Sequence, residues 1–407
     1  MFYLLRNKNI RKLILSASVS RFGDSVETIS FSWLVYQLTG SLSLMGLVFA
    51  INFIPNILFA PFAGVYADRH NRKKIVVFSD LFRGLNATLI SLLIFNDSAT
   101  ILIIIGFSFV NSTLESFANP ARHALYADLI DSTSFLEVTA IASSSSSAAE
   151  LLGLGTAGII VAFGGNGMAF AVDAGTFFLS AFAIARLITP PRPPQQTNIG
   201  QTYFKDIQVG FEFLLHDHLM MICIAASALL NFFFTPINVL LPKYSDEVLH
   251  MGVYGVSLIE SSMTLGIIFG GIMVAKLGKK GKLSTMSISG FSILGLSYLL
   301  LGLLPVFHFS NRFSLYSALA ISFTFGVAVP TISAPIRTHI MRVIPSDKRG
   351  IISAVMGTTL LMAIPLGGAL VGVIGDRLTL HGYFFSAAIG IFMLAGFLFT
   401  NHSYREI

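Results

Sequence analysis

The sequence reads Gly64-Val-Tyr-Ala-Asp68-Arg69-His-Asn-Arg72-Lys73 directly after an apolar segment. Further along, Gly271-Ile-Met-Val-Ala275-Lys276-Leu-Gly278-Lys279-Lys280 follows another apolar segment and matches it without a gap, with an alanine in place of the acid. Pro120-Ala-Arg122 and Pro335-Ile-Arg337 form a second matched pair. The chain therefore consists of two halves with the same topology, an arrangement that places a substrate site between the halves near the membrane midplane.

The composition is that of a membrane protein. Of the 407 residues, 54% are apolar and 11% are charged, and the mean hydropathy is +0.77. An ordinary soluble domain carries roughly 25% charged residues, and apolar segments of about 20 residues can cross about 30 Å of hydrocarbon. We predict an all-α membrane protein with twelve transmembrane helices. The predicted spans are 13–38, 42–66, 75–95, 99–119, 135–163, 168–187, 219–241, 253–275, 283–304, 313–333, 350–374 and 383–400.

The two halves meet at a polar segment that begins with Thr189-Pro-Pro-Arg-Pro-Pro194 and continues with an amphipathic pattern. We predict an N-terminal six-helix bundle over 1–188, a cytoplasmic linker with an amphipathic helix over 189–218, and a C-terminal six-helix bundle over 219–407. The first apolar segment is too long and too polar for a signal peptide and is expected to be a retained span.

Charge and cysteine content limit the classes of function. Most of the 26 lysines and arginines fall in loops on one side, so the positive-inside rule predicts that both termini are cytoplasmic. There is no basic stripe for nucleic acid, despite the net charge of +6. The single cysteine, Cys223, permits no intramolecular disulfide, and no sequence holds phosphate as a P-loop does. We expect no cofactor, no metal and no ATP hydrolysis.

The pattern Gly64-x-x-x-Asp68-Arg69-x-x-Arg72-Lys73, placed between spans two and three, resembles the loop signature of the major facilitator superfamily. Residues 31–41, the Asp80 to Arg83 stretch and the loop 120–136 resemble the bacterial macrolide-efflux and enterobactin-exporter branch. The resemblance implies two pseudo-symmetric bundles, alternating access, a small-molecule substrate and a multi-pass monomer in the bacterial cytoplasmic membrane. It covers essentially the whole chain.

The loop signature departs from the family pattern at one position. Asn71 stands where the family has glycine, and we expect it to adopt the left-handed turn that asparagine tolerates. The resemblance implies that the charged residues of the gate loop, which comprises Gly64, Asp68, Arg69, Arg72 and Lys73, form a cluster that latches one conformation. Asp128, in the loop after span four, is a candidate partner for Arg72. The alternative is that these cations only set topology.

Ionisable side chains inside the spans are costly and need an explanation. The acids placed well inside the predicted spans are Asp24, Glu27, Glu150, Asp173 and Glu260, and the bases within spans that could serve them are Arg21 and Arg83. Asp24 and Glu27 share one face of span one and cannot both ionise cheaply in a low dielectric, so the pair is a candidate proton-coupling site. The alternative is an Arg21–Asp24 ion pair, with Glu27 fixing only the packing.

The other embedded charges have open roles. Glu150 and Glu260, one in each half, could face a central cavity. Asp173 lies near the outer end of span six, where a solvated or helix-capping role is equally expected. Arg83 could be the counter-ion of an acid in the site or could pair with Asp80 on its own helix.

Amides inside or near spans need partners and can bind a substrate, which makes Asn52, Asn56, Asn111, Asn231 and Asn238, together with Phe31, candidates to line the cavity. The serine run 143–147 is expected to be a helix-packing face. Embedded acids outnumber embedded bases by five to two, which favours proton-driven export of a lipophilic neutral or cationic compound. A siderophore, lipid or metabolite exporter is the alternative within the class, and a lipid scramblase the alternative outside it. No HExxH or GxSxG motif points to an enzyme.

Overall fold

The computed structural model describes residues 7–130, 134–188, 212, 217–278, 282–307, 309–344 and 349–406. All secondary structure in these ranges is helical, which confirms the all-α prediction. The helices are α1 (Lys8–Thr39), α2 (Leu42–Arg69), α3 (Arg72–Phe95), α4 (Ile101–Leu129), α5 (Phe135–Ala185), α6 (His218–Glu247), α7 (Gly252–Leu277), α8 (Leu283–Leu303), α9 (Asn311–Val343), α10 (Arg349–Ile374), α11 (Leu380–Thr400) and α12 (His402–Arg405).

Several helix ends are set by capping residues. Asn7, Thr100 and Asp217 precede α1, α4 and α6, and their side chains accept hydrogen bonds from main-chain N–H groups of the first turn. Such caps satisfy donors that have no partner within the helix. Gly40 ends α1 with a φ of 58°, a conformation that glycine adopts without steric cost.

Ten helices in the described part of the chain are long and apolar enough to cross a membrane. One of them, α5, has 51 residues and a length of about 75 Å, which is enough for two crossings. Its backbone breaks at Gly165, where φ is 71° and ψ is 177°, between the predicted spans 135–163 and 168–187. Helix α1 is not among the ten, and Arg21, Asp24 and Glu27 lie along it. The chain is a multi-pass membrane protein, and the count of twelve stays a prediction.

The chain forms two compact units. Among the described residues, the first unit comprises those within 1–40 and 51–197, and the second comprises those within 41–50 and 198–407. The first turns of α2 thus belong to the second unit. The predicted linker 189–218 lies outside the described residues except for Glu212, Asp217 and His218.

Within the first unit, α1 lies along α5, and α3 packs against both α4 and α5. An apolar core fills the end of the unit that carries the α2–α3 turn, and its most buried members include Leu13, Val76, Leu125, Val138 and Ile184. This core packs around the α2–α3 turn. The polar residues Asp24 and Glu27 on α1 and Arg83 on α3 lie further along their helices, beyond the core.

Within the second unit, α9 packs against α7 and α8, α8 against α11, and α6 against α10. The approach of α7 to α9 is close because both helices have glycine at the contact. A Cβ added to Gly326 would overlap the main-chain oxygen of Met263, and one added to Gly266 would overlap that of Phe323. Small residues are a common means of joining membrane helices closely.

Candidate functional site

Arg83, on α3, lies at the centre of a polar cluster in the first unit. Its side chain is almost fully buried, with the residue 4% exposed. Nη2 donates to Asp24 Oδ1 at 2.9 Å, and Nε donates to Asn111 Oδ1 at 2.9 Å. The guanidinium carbon also lies 4.2 Å from the ring centroid of Phe177. These contacts fix the positive charge between α1, α4 and α5.

Glu27 and Asp173 complete the cluster. The Asn111 amide nitrogen donates to both carboxylate oxygens of Glu27 at 3.2 Å. Asp173 is 0% exposed, and neither of its carboxylate oxygens has a hydrogen-bond partner among the described residues. One oxygen from each of Asp24, Glu27 and Asp173 lies within 4.8 Å of the other two.

The charges of this cluster do not balance if every acid is ionised. Three carboxylates face one guanidinium, and a fourth carboxylate, that of Glu115, lies 4.0 Å from Arg83 Nη2. In a low dielectric, like charges at this separation disfavour simultaneous ionisation. The arrangement can bind and release a proton inside the membrane region. The spacing of the three acids would also suit a cation, and Arg83 already supplies positive charge there.

A cavity of about 400 Å³ opens beside the cluster within the first unit. The charged lining consists of the acids Asp24 and Glu115 and the arginines Arg21, Arg83 and Arg122, and Ser143 and Ser146 contribute hydroxyl groups. The Glu115 side chain is 38% exposed, so its carboxylate can meet a solute directly. It accepts a hydrogen bond from Asn119 Nδ2 at 3.3 Å. The cavity therefore combines an accessible acid, hydroxyl groups and arginines that are each paired with an acid on another helix.

The arginines pair with acids on other helices. Arg21 donates to both Glu150 oxygens, from Nη2 at 2.7 Å and from Nε at 3.3 Å, and so joins α1 to α5. Arg122 Nη2 donates to both Asp80 oxygens, at 2.8 and 3.0 Å. Among the described residues, neither of the same-helix pairs considered from the sequence forms, Arg21 with Asp24 or Arg83 with Asp80. A partner on a facing helix can meet the planar guanidinium with two bonds, which adds strength and specificity.

At the α2–α3 turn, Arg72 bridges two acids. Nη2 donates to Asp68 Oδ1 at 2.7 Å, and Nη1 donates to Asp128 Oδ1 at 2.7 Å. The Arg72 side chain is 9% exposed and that of Asp68 is 54% exposed. Lys73 Nζ donates to the main-chain oxygen of Leu187 at 2.8 Å. The turn is thereby tied to the ends of α4 and α5.

Comparison with known proteins assigns the family. The family model described as Major Facilitator Superfamily matches residues 13–368, which is most of the chain. The chain belongs to the major facilitator superfamily.

Named relatives and a solved structure agree with this assignment. Macrolide efflux protein A of Streptococcus pyogenes is 21% identical over 378 residues, which cover 93% of this chain and 92% of that protein. Multidrug efflux pump Tap of Mycolicibacterium fortuitum is 21% identical over 390 residues, covering 94% and 93%. The crystal structure of the nucleoside transporter NupG has a TM-score of 0.76 and 14% identity, covering 96% of this chain and 98% of that one, and shows the fold alone.

In this member of the major facilitator superfamily, the gate loop differs from the sequence prediction in the conformation of Asn71. Asn71 adopts an extended φ of −68° and caps α3 by accepting a hydrogen bond from Lys74 N–H at 3.1 Å, so it does not form a left-handed turn. A Cβ added to Gly64 would meet no atom within 4 Å. Arg69 is the exposed last residue of α2.

The other predicted cavity residues have different surroundings. Asn56 Nδ2 donates to the Ser112 hydroxyl at 2.9 Å, and Asn231 Nδ2 donates to the main-chain oxygen of Leu360 at 3.2 Å. These two amides join helices. Four others lie half-buried: Phe31 and Asn52 in the first unit, and Asn238 and Glu260 in the second.

Three polar residues of α4 were not predicted as a group. Asn111, Glu115 and Asn119 are spaced four apart and therefore lie on one helical face. Asn111 bonds both Arg83 and Glu27, while Glu115 and Asn119 line the cavity. The spacing of these three residues in the sequence could have predicted a polar functional face on α4. Ser143 and Ser146 of the serine run also line this cavity.

Proposed function

We propose that this chain is a proton-coupled secondary active exporter of a lipophilic neutral or cationic small molecule, working by alternating access in the bacterial cytoplasmic membrane. The observation that carries the proposal is the buried cluster in which Arg83 faces Asp24, Glu27 and Asp173 beside an open polar cavity. Ionisable groups in membrane helices mark ion and proton pathways more often than they stabilise packing.

Glu27 is the acid that exchanges the proton in this proposal. Asp24 has a short bond to Arg83, which holds it as a fixed counter-ion. Within the described part of the chain, the donor to Glu27 is the neutral amide of Asn111, so no cation holds Glu27 in the ionised state by direct contact there. A carboxyl group in that position can be neutral or ionised as the surrounding water and substrate change.

The substrate class rests on the cavity and on the relatives. The accessible Glu115 carboxylate can attract a protonated amine, and the three arginines that line the cavity, Arg21, Arg83 and Arg122, are each bonded to an acid. Two relatives that align over most of the chain are named for macrolide efflux and multidrug efflux. A basic macrolide has the required lipophilic body and amine.

Purified protein in sealed vesicles tests this function. Erythromycin and the lipophilic cation tetraphenylphosphonium serve as probes, with the vesicle lumen acidified to represent the outside of the cell. We expect saturable accumulation of at least one probe, with alkalinisation of the lumen. Accumulation that is unaffected by collapsing the pH gradient would refute proton coupling, and unsaturable lipid movement without probe flux would favour a scramblase.

A further inference from the structure

The Asp173 carboxylate has fewer hydrogen-bond donors among the described residues than any other acid in the Arg83 cluster. Asp24 has the Arg83 guanidinium at 2.9 Å, and Glu27 has the Asn111 amide at 3.2 Å. The two oxygens of Asp173 accept no hydrogen bond within the described part of the chain, and the residue is 0% exposed. An ionised carboxylate without donors or water is among the most costly groups to bury.

Asp80, another buried aspartate in the same unit, has the hydrogen-bond donors that Asp173 lacks. Asp80 is also 0% exposed, yet it accepts two hydrogen bonds from Arg122 and one from the Ser180 hydroxyl at 2.6 Å. The two acids have the same side chain and the same burial and differ in their donors. Asp173 has instead another acid close to it.

The room for Asp173 comes from a glycine on α1. A Cβ added to Gly23 would lie 2.5 Å from Asp173 Oδ1 and would overlap Thr176 Oγ1. Gly23 precedes Asp24 and lies one helical turn before Glu27, so the Asp173 carboxyl group enters at the face that carries both acids. A protonated carboxyl group has one O–H donor, and the nearby acceptors are carboxylate oxygens.

We propose that Asp173 stays protonated throughout the transport cycle and donates its O–H to the Glu27 carboxylate, forming a carboxylic acid–carboxylate pair in which only Glu27 exchanges its proton. Asp173 is then a positioning residue for the coupling acid. Among the described residues, the titratable groups that face the pair are Asp24 on α1, Arg83 on α3 and Glu115 on α4, and their charges affect which acid of the pair is ionised. The transport role of the pair rests on the proposed function, while the protonation of Asp173 does not.

Infrared spectroscopy of the purified protein tests the protonation directly, without a substrate. As the pH is raised, the carbonyl stretch of a protonated carboxylic acid shielded from water persists to the highest pH if Asp173 holds the proton. We expect Asp173→Asn to lose that persistent band and Glu27→Gln to keep it. Asp80→Asn is the matched control and leaves the band unchanged, because Arg122 compensates Asp80. A band that is absent in the native protein, or lost in Glu27→Gln, would overturn the proposal.

Transport assays separate positioning from proton exchange. The amide introduced by Asp173→Asn can still donate to Glu27, so we expect proton-driven accumulation with an unchanged pH profile. Asp173→Val removes the donor. The pH midpoint of accumulation should then rise by about one unit, because the ionised Glu27 carboxylate loses a hydrogen bond. If Asp173→Asn loses accumulation, Asp173 itself exchanges the proton and the proposal fails. If Glu27→Gln keeps normal coupling, the proposed function fails instead, whatever the infrared result.

Discussion

Arg83 differs from an ordinary buried cation because it uses three separate features of its side chain. Nη2 bonds Asp24, Nε bonds Asn111, and the guanidinium plane lies over the Phe177 ring. A lysine ammonium has the same charge but cannot make all three contacts at once. We therefore expect Arg83→Lys to fold and to lose proton-driven accumulation by about tenfold or more, as one charge-assisted hydrogen bond is worth roughly 1.5–3 kcal/mol.

Arg312→Lys is the control for that substitution, since Arg312 lies exposed at the start of α9. Accumulation and thermal stability are measured for both variants in the same vesicles. Equal behaviour of the two would show that Arg83 contributes only its charge, and the cluster would then lack the geometric role assigned to it.

At the scale of elements, the first turn of α2 is capped by an acid that follows α10. Asp376 Oδ2 accepts from the Ser41 hydroxyl at 2.7 Å, and Oδ1 accepts from the Leu42 main-chain N–H at 3.1 Å. The bond from Ser41, with that from Leu42, holds the pKa of Asp376 below its usual range. A depressed pKa in the folded state means that the carboxylate stabilises the fold above the usual aspartate pKa, and that this contribution is lost as the pH falls.

Removing this cap should cost stability in a pH-dependent way. We expect Asp376→Ala to lower the melting temperature by a few degrees near neutral pH, because helix caps contribute on the order of 1 kcal/mol in general. The difference from the native protein should shrink as the pH falls below about 4. Glu247→Ala, at an exposed acid 3.7 Å from Lys243, is the control and should have little effect. A pH-independent loss would mean that Asp376 acts through packing.

The sequence predicted elements better than contacts. The break at Gly165 falls between two predicted spans, and the helical type of every span follows from length and hydropathy. Arg83 was considered as the counter-ion of an acid in the site, but its pairing with Asp24 in particular could not be predicted. Helical periodicity gives the face of one helix but not which face of another it meets. For Asp173, a solvated or helix-capping role was as expected as a role in proton coupling, and the sequence could not show that the glycine at position 23 lets it enter the core.

At the scale of the whole molecule, the charge cluster at the α2–α3 turn is the candidate latch. Arg72 is nearly buried while holding Asp68 and Asp128, which are carried by different helices. If these bonds form in only one conformation, breaking them changes the rate of switching and leaves substrate affinity alone. We expect Asp68→Asn to slow transport about five- to a hundredfold, with less than about a twofold change in probe binding.

Asp97→Asn provides the control for the latch, because Asp97 lies exposed in the turn after α3. Transport rate is measured in vesicles, and binding is measured by thermal stabilisation with the same probe. Parallel losses of affinity and rate in Asp68→Asn would place Asp68 in a binding role and contradict the latch.

The most direct test of proton coupling uses Glu27→Gln, which mimics the protonated side chain at nearly the same volume. Its vesicles are loaded for two assays: accumulation of a probe driven by a pH gradient, and exchange of labelled for unlabelled probe without a gradient. We predict that the variant binds and exchanges the probe but does not accumulate it, because glutamine cannot release a proton. Accumulation against the probe's own gradient with an unchanged pH dependence would contradict the account and place the coupling acid elsewhere.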